Sequence, residues 1–168
     1  KGLIGNMGFF VLTNSHSLKK YQYRSFHLPK RGYAGWIKDL NKHQPELNLQ
    51  ALIMHPCDIT GWASLKNSKI PILIENMDNH KKSFRTITEI AKLLDKNSEF
   101  KMCLDINHLN TQLIGNAALW HKKLKSKIKQ YHLAAIDRGY YKSIVGIADM
   151  RHALCLFDPK ILRNLKIK

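Results

Sequence analysis

The sequence predicts an α/β fold built around a parallel β-sheet, and two observations carry this prediction. Five short apolar segments recur at intervals of 20 to 30 residues, which suits strands joined by crossover helices, since one such unit takes roughly thirty residues. Segments such as PILIE, residues 71–75, are apolar at successive positions, so we expect both faces of these strands to be buried. Alternating strands and helices of this kind form a doubly wound sheet or a barrel.

Each predicted strand ends in, or just before, a polar side chain that can bind a metal ion. In parallel α/β folds the ligand site lies at the carboxyl ends of the strands, so we expect these side chains to converge although they are far apart in sequence. A sixth apolar segment, RHALCLF, has its histidine at the start. The five segments are YRSFHLP with His27, ALIMHP with His55, IPILIEN with Glu75, KMCLDINH with Asp105 and His108, and IKQYHLA with His132.

The intervals between these segments predict helices. TITEIAKLLDKN, residues 86–97, has Thr86 and Glu89 at capping-box spacing, and its apolar residues form one stripe. TQLIGNAALWHKKLKSK, residues 111–127, places Trp120 on an inward stripe and ends in lysines, which the helix dipole favours. GYAGWIKDLNKH, residues 32–43, is a third predicted helix, and ITGWASLKNS, residues 59–68, has room for only a short one.

Composition limits the partners and the compartment. A formal charge of +16 attracts phosphates, nucleic acid or an anionic membrane surface, although a coding bias toward Lys, Asn and Ile explains the excess equally well. Three cysteines without close spacing argue against a disulfide framework, so we expect a reducing, cytoplasmic location and read Cys57 as a buried side chain. No apolar stretch approaches the ~20 residues of a membrane helix, and we expect no membrane partner.

Imidazoles and carboxylates gathered at one edge of a sheet are the ligands that a divalent cation requires. Zn²⁺ or Mn²⁺ suits this donor set best, and Mg²⁺ is the alternative. Such an ion polarises a substrate oxygen or lowers the pKa of a bound water. Other readings of the same residues stay open: Glu75 can form an ion pair with a lysine, Asp105 can cap the helix that follows it, and His132 can hydrogen-bond a strand end.

In order and spacing, the motifs SFHLP, IMHP, ILIENMD, CLDINHL and QYHLAAID resemble the xylose-isomerase-like TIM barrels. This superfamily includes sugar (phosphate) isomerases and epimerases and the second family of apurinic/apyrimidinic (AP) endonucleases. The resemblance covers roughly residues 9–157, and LIEN followed about thirty residues later by LDxxH is its most specific part. It implies a TIM (β/α) barrel that is incomplete, with about six of eight βα units, and residues 1–168 as a single partial barrel domain.

The resemblance also implies roles for particular residues. The isomerases and epimerases bind one divalent metal through a Glu, an Asp, a His and a second Glu, and Glu75, Asp105 and His132 match the first three. His108 matches the histidine that usually meets the substrate and is kept as a candidate ligand, so Glu75 and His108 are the catalytic candidates. The endonucleases hold three zinc ions and also use histidines of earlier strands, which correspond to His27 and His55.

Two parts of the family pattern are imperfect in this chain. The endonucleases take a further Asp and His from a D-x-H motif, and Asp149 and His152 stand there with one residue too many between them. The second Glu of the isomerases has no counterpart before Lys168. Because a TIM barrel seldom has fewer than ~200 residues, we expect the sequence to be a fragment of a longer chain.

Three functions follow as expectations. The first is a divalent-metal-dependent isomerase or epimerase acting on a small sugar or sugar phosphate, with Glu75 as ligand and base. The second is an AP endonuclease-type phosphodiester hydrolase acting on abasic DNA, which the positive charge and the pair His27 and His55 favour. The third is a catalytically silent barrel fragment that binds a metal or another ligand.

Overall fold

A computed structural model of the chain describes residues 23–112 and 117–132. These residues form two compact units. The first unit comprises residues 23–75 and 97–101, and the second comprises residues 76–96, 102–112 and 117–132. Asp149, His152 and the predicted strand at 151–157 lie outside the described residues.

The first unit follows the predicted alternation of strands and helices. Strands β1 and β2 pair in parallel, as do β2 and β3, and a short 3-10 helix follows β2. The elements are β1 Ser25–His27, α1 Tyr33–Leu47, β2 Ala51–Met54, the 3-10 helix Pro56–Asp58, α2 Trp62–Lys66 and β3 Ile72–Glu75. Every residue of β2 and β3 is buried, which confirms that both faces of these strands are covered.

The second unit contains two further predicted helices and two further predicted strands. Strand β4 pairs with β5 in parallel, and helices α3 and α5 pack against each other. The elements are α3 Ile87–Lys96, β4 Lys101–Asp105, α4 Ile106–Asn110, α5 Ala117–Leu124 and β5 Ile128–His132. Strand β5 differs from β2 and β3, because Lys129 is exposed on one of its faces.

The strands follow the order of the chain within each unit. In the first unit β2 lies between β1 and β3, and in the second unit β4 lies beside β5, all in parallel. The chain therefore has an α/β fold with parallel strands, which is compatible with part of a barrel.

Helix α1 is longer than the sequence predicted. It continues past His43 through Pro45 to Leu47 and ends at Asn48, whose φ of 47° is left-handed. Asparagine tolerates this conformation at a helix end, and its backbone N–H donates to the Gln44 carbonyl.

Within the described ranges, none of the helices is both long enough and apolar enough to cross a bilayer.

Helix α3 begins with the capping box that the sequence predicted. Glu89 Oε2 accepts from the backbone N–H of Thr86 at 2.9 Å and from its hydroxyl at 2.7 Å, and the Glu89 amide donates back to Thr86 Oγ1 at 3.3 Å. The same carboxylate accepts from the amides of Phe84 and Arg85. Burial alone raises the pKa of Glu89, but these hydrogen bonds outweigh it and hold the pKa below its ordinary value of 4.5.

Glu89→Ala is therefore expected to lower the free energy of unfolding by about 1 kcal/mol at neutral pH, as the loss of a helix cap does. Because the folded pKa of Glu89 is depressed, its contribution is complete above pH 4.5 and is lost as the pH falls through the folded pKa. Urea unfolding followed by circular dichroism should show the difference between parent and variant shrinking in acid. Thr88→Ala, an exposed change on the same helix, is the control and should lack this pH dependence.

Candidate metal centre

The register of the first unit brings three predicted ligands together. Met54 of β2 is paired with Ile74 of β3, so the next residues along the two chains, His55 and Glu75, lie side by side. His27 is paired with Ile53, two residues before His55. Since side chains two apart on an extended chain point to the same face, His27, His55 and Glu75 share one face at the carboxyl end of the strands.

The head groups of these residues are in direct contact. His27 Nε2 lies 2.9 Å from Glu75 Oε2, and His55 Nε2 lies 3.1 Å from the same oxygen. The two Nε2 atoms are 3.2 Å apart, and the rings meet edge to face with centroids 4.6 Å apart. Three potential ligand atoms thus face one point.

Each imidazole has an acceptor beside its other nitrogen. His27 Nδ1 donates to the Leu28 carbonyl at 3.1 Å, and His55 Nδ1 lies 3.6 Å from Asp58 Oδ2. A proton on Nδ1 leaves the Nε2 lone pair available for a metal ion, and a carboxylate or carbonyl behind a histidine is the usual support of a metal ligand. The tautomers are assigned from these contacts.

The donor set fits a divalent cation. Zn–N and Zn–O bonds of about 2.0–2.1 Å at tetrahedral angles place neighbouring ligand atoms roughly 3.3 Å apart, close to the 2.9 to 3.2 Å found here. The side chain of Glu75 is only 2% exposed, whereas those of His27 and His55 are 24% and 26% exposed. A metal held by these three residues would be open to solvent on the histidine side.

The second unit contains another group of predicted ligands around Asp105. The register pairs Asp105 of β4 with His132 of β5, and His132 Nδ1 lies 3.6 Å from Asp105 Oδ2. Asp105 Oδ1 accepts from the backbone N–H of His108 at 2.8 Å and caps α4. The capping role that the sequence offered as an alternative is therefore confirmed, and the second carboxylate oxygen remains directed at the histidines.

His108 is oriented by the backbone at the start of the same unit. Its Nδ1 donates to the Asn76 carbonyl at 2.7 Å, which leaves Nε2 as the unprotonated nitrogen. That Nε2 lies 4.0 Å from Asp105 Oδ2. Both histidines around Asp105 are buried, so the second group is drier than the group formed by His27, His55 and Glu75.

Asn76 is a site residue to which the sequence gave no role. Its side chain is fully buried and bridges the backbone of Asp105: Asn76 Nδ2 donates to the Asp105 carbonyl at 3.0 Å, and Asn76 Oδ1 accepts from the Asp105 amide at 2.8 Å. Asn76 thus fixes the end of β4. Asn76 is part of the motif LIEN, but nothing in the neighbouring sequence indicates its hydrogen bond to a residue 29 positions away.

Two further residues support the predicted ligands. Asp58 lies beside His55 Nδ1. Its position three residues after the histidine is the sequence feature that could have indicated this contact. Gln130 Nε2 lies 3.1 Å from His132 Nε2, at a position two residues before the histidine on the same face of β5.

Cys57 is exposed, so the prediction that this thiol is buried was wrong. Cys57 lies on the 3-10 helix rather than in the core.

The structure therefore gathers the predicted residues in two sets, each within one unit. His27, His55 and Glu75 form the first set, and Asp105, His108 and His132 form the second. Each set places imidazoles beside a carboxylate. The ligand atoms of the first set lie within 4.8 Å of one another, so His27, His55 and Glu75 can hold a metal ion. That Glu75, Asp105 and His132 share one cation stays a prediction.

Neither models of protein families nor curated protein sequences match this chain.

Proposed function

We propose that the chain is a divalent-metal-dependent hydrolase of the xylose-isomerase-like type that cleaves phosphodiester bonds at abasic sites in DNA. The cluster of His27, His55 and Glu75 is the observation that carries the proposal. Two histidines and one glutamate are the protein ligands of several hydrolytic zinc sites, in which a further position stays open for water. The half-buried histidines provide such an open side, and the net charge of +16 suits a polyanionic substrate.

The residues of the chain have distinct parts in this proposal. His27 and His55 would hold the cation through their Nε2 atoms and Glu75 through a carboxylate oxygen, and the Leu28 carbonyl and Asp58 keep the imidazoles in the required tautomer. A zinc ion held there would lower the pKa of a bound water to near 7 and so supply hydroxide at neutral pH. Asp105 and His132 supply further ligands, as the resemblance implies, and His108 presents Nε2 as an acceptor.

An isomerase or epimerase that acts on a small sugar or sugar phosphate is the second candidate. The short connections after the strands favour it: α1 begins six residues after His27, and α4 begins directly after Asp105. Such connections leave a compact rim that suits a small substrate rather than a duplex. In that reaction Glu75 moves a proton between adjacent carbons.

The deciding experiment incubates the full chain with a duplex that carries one abasic site. We expect strand cleavage at that site with zinc-loaded protein, loss of cleavage after chelation, and recovery when zinc is added back. An undamaged duplex of the same sequence should stay intact. Metal analysis should give more than one ion per chain. If fully loaded protein leaves the abasic site intact and instead catalyses deuterium uptake from solvent into ketoses, the hydrolase proposal is wrong and the isomerase is supported.

A further inference from the structure

The second unit carries exposed lysines on α3, on α5, in the turn that follows α5 and on β5. None of them forms an ion pair with an acid of the described residues. We name these residues the lysine patch: Lys92, Lys96, Lys122, Lys123, Lys125 and Lys129.

Contacts within the unit hold the elements of the patch together. Helices α3 and α5 pack against each other, and Lys127, in the turn after α5, forms an ion pair with Asp95 near the end of α3. The Lys127 carbonyl accepts from the Met102 amide at 2.8 Å, which ties the same turn to the start of β4. Burial raises the pKa of Tyr131, and the hydrogen bond between its hydroxyl and His121 Nδ1 joins β5 to α5.

Few negative charges oppose the patch. Asp95, in the last turn of α3, is already paired with Lys127. Helix dipoles account for lysines in the last turns of α3 and α5, but Lys125 and Lys129 lie beyond the end of α5. The patch therefore has more lysines than the stabilisation of the two helix ends requires.

Two lysines of the patch lie at or near the start of β5, whereas a candidate ligand ends it. Lys125 precedes β5 and Lys129 is near its start, whereas His132 is its last residue. A strand of this length spans about 13 Å at ~3.3 Å per residue. Lys125 therefore lies at the other end of β5 from His132.

We infer that the lysine patch is a binding surface for the phosphodiester backbone of nucleic acid. A cluster of lysine ammonium groups neutralises successive phosphates without reading sequence. A lipid surface fits less well, because helices that lie on membranes add an apolar face. In the part of the chain that the structure describes, Tyr23 and Leu119 are the exposed large apolar side chains.

The test measures binding of the full chain to an undamaged fluorescent duplex in the presence of chelator, so that it is independent of the proposed hydrolysis. Lys96→Gln/Lys125→Gln/Lys129→Gln removes half of the patch. The matched control, Lys38→Gln/Lys42→Gln/Lys69→Gln, removes the same charge from exposed positions of the first unit. Circular dichroism should confirm that both variants are folded.

We expect the patch variant to bind at least about tenfold more weakly at 0.1 M salt, and the slope of log K against log salt to fall by about 2.7, since each phosphate contact contributes ~0.9. The control variant should bind within about threefold of the parent. Equal losses in both variants would show that binding follows net charge alone and would overturn the inference. Lysine-dependent binding to vesicles containing phosphatidylserine, without binding to duplex DNA or RNA, would also overturn it.

Discussion

Glu75→Gln is expected to lower the zinc affinity of the chain by at least about 100-fold. The carboxylate is 2% exposed and its Oε2 contacts both imidazole Nε2 atoms, so it supplies the central ligand atom of the cluster. Loss of a residue that merely supports a metal ligand reduces affinity 10- to 100-fold, and the loss of a ligand itself should cost more. Glutamine keeps the shape of the side chain and removes the charge.

Titration calorimetry with Zn²⁺ and elemental analysis measure this effect. Glu46→Gln is the matched control, because Glu46 Oε2 also lies 3.3 Å from a histidine nitrogen, that of His43, but at an exposed position. Its zinc affinity should equal that of the parent. Circular dichroism of the metal-free Glu75→Gln protein should show that it is folded, so that a loss of zinc affinity reports on the ligand.

Retention of parental zinc affinity by Glu75→Gln would remove Glu75 from the ligand set. The same measurement on Asp105→Ala tests the ligands that the resemblance implies. If Glu75→Ala and Asp105→Ala both kept full metal content, the assignment of the whole site would be wrong, whichever reaction the chain catalyses.

Asn76→Leu is expected to reduce the free energy of unfolding by about 3 kcal/mol. Leucine has a similar size but leaves the amide and the carbonyl of Asp105 without the two partners that Asn76 provides. Each buried polar group that loses its partner costs about 1–3 kcal/mol. Because Asp105 also caps α4 and faces His132, the change should loosen the end of β4 together with the carboxylate.

A second asparagine that bridges backbone groups provides the control. Asn41 also bridges backbone groups, with Nδ2 donating to the Asn67 carbonyl at 3.1 Å and Oδ1 accepting from the Lys69 amide at 2.8 Å, but these bonds are exposed. Water can replace Asn41, so Asn41→Leu should cost about 1 kcal/mol or less. Equal destabilisation by the two variants would contradict the argument from burial. Hydrogen exchange should show loss of protection at the Asp105 amide in Asn76→Leu alone.

The difference in burial between these two asparagines is a property of the tertiary structure. Both occur in short polar stretches, and both bridge backbone groups of segments more than 25 residues away. Which of them is buried depends on the elements packed around it, and that information is distributed over the whole fold. The burial of Asn76, and with it the expected difference in stability, could not be predicted from its neighbours in the chain.

Other features could be predicted from the sequence because their causes are local. The capping box of α3 depends on two residues three positions apart, and the structure has it as expected. Helix α1 shows the limit of the same reasoning, since its end at Asn48 depends on a left-handed residue that the apolar pattern does not reveal. The exposed Cys57 was missed because a short helix after a strand turns its side chains according to tertiary contacts.

The sequence by itself determined the parallel strands and the side chains that close them, because a continuous apolar run and its terminal polar residue are properties of adjacent positions. Tertiary structure alone decided which of those side chains touch. The pairing of Met54 with Ile74 and of Asp105 with His132 sets the contacts of Glu75 and Asp105, and register between distant strands is fixed by packing over both faces of the sheet.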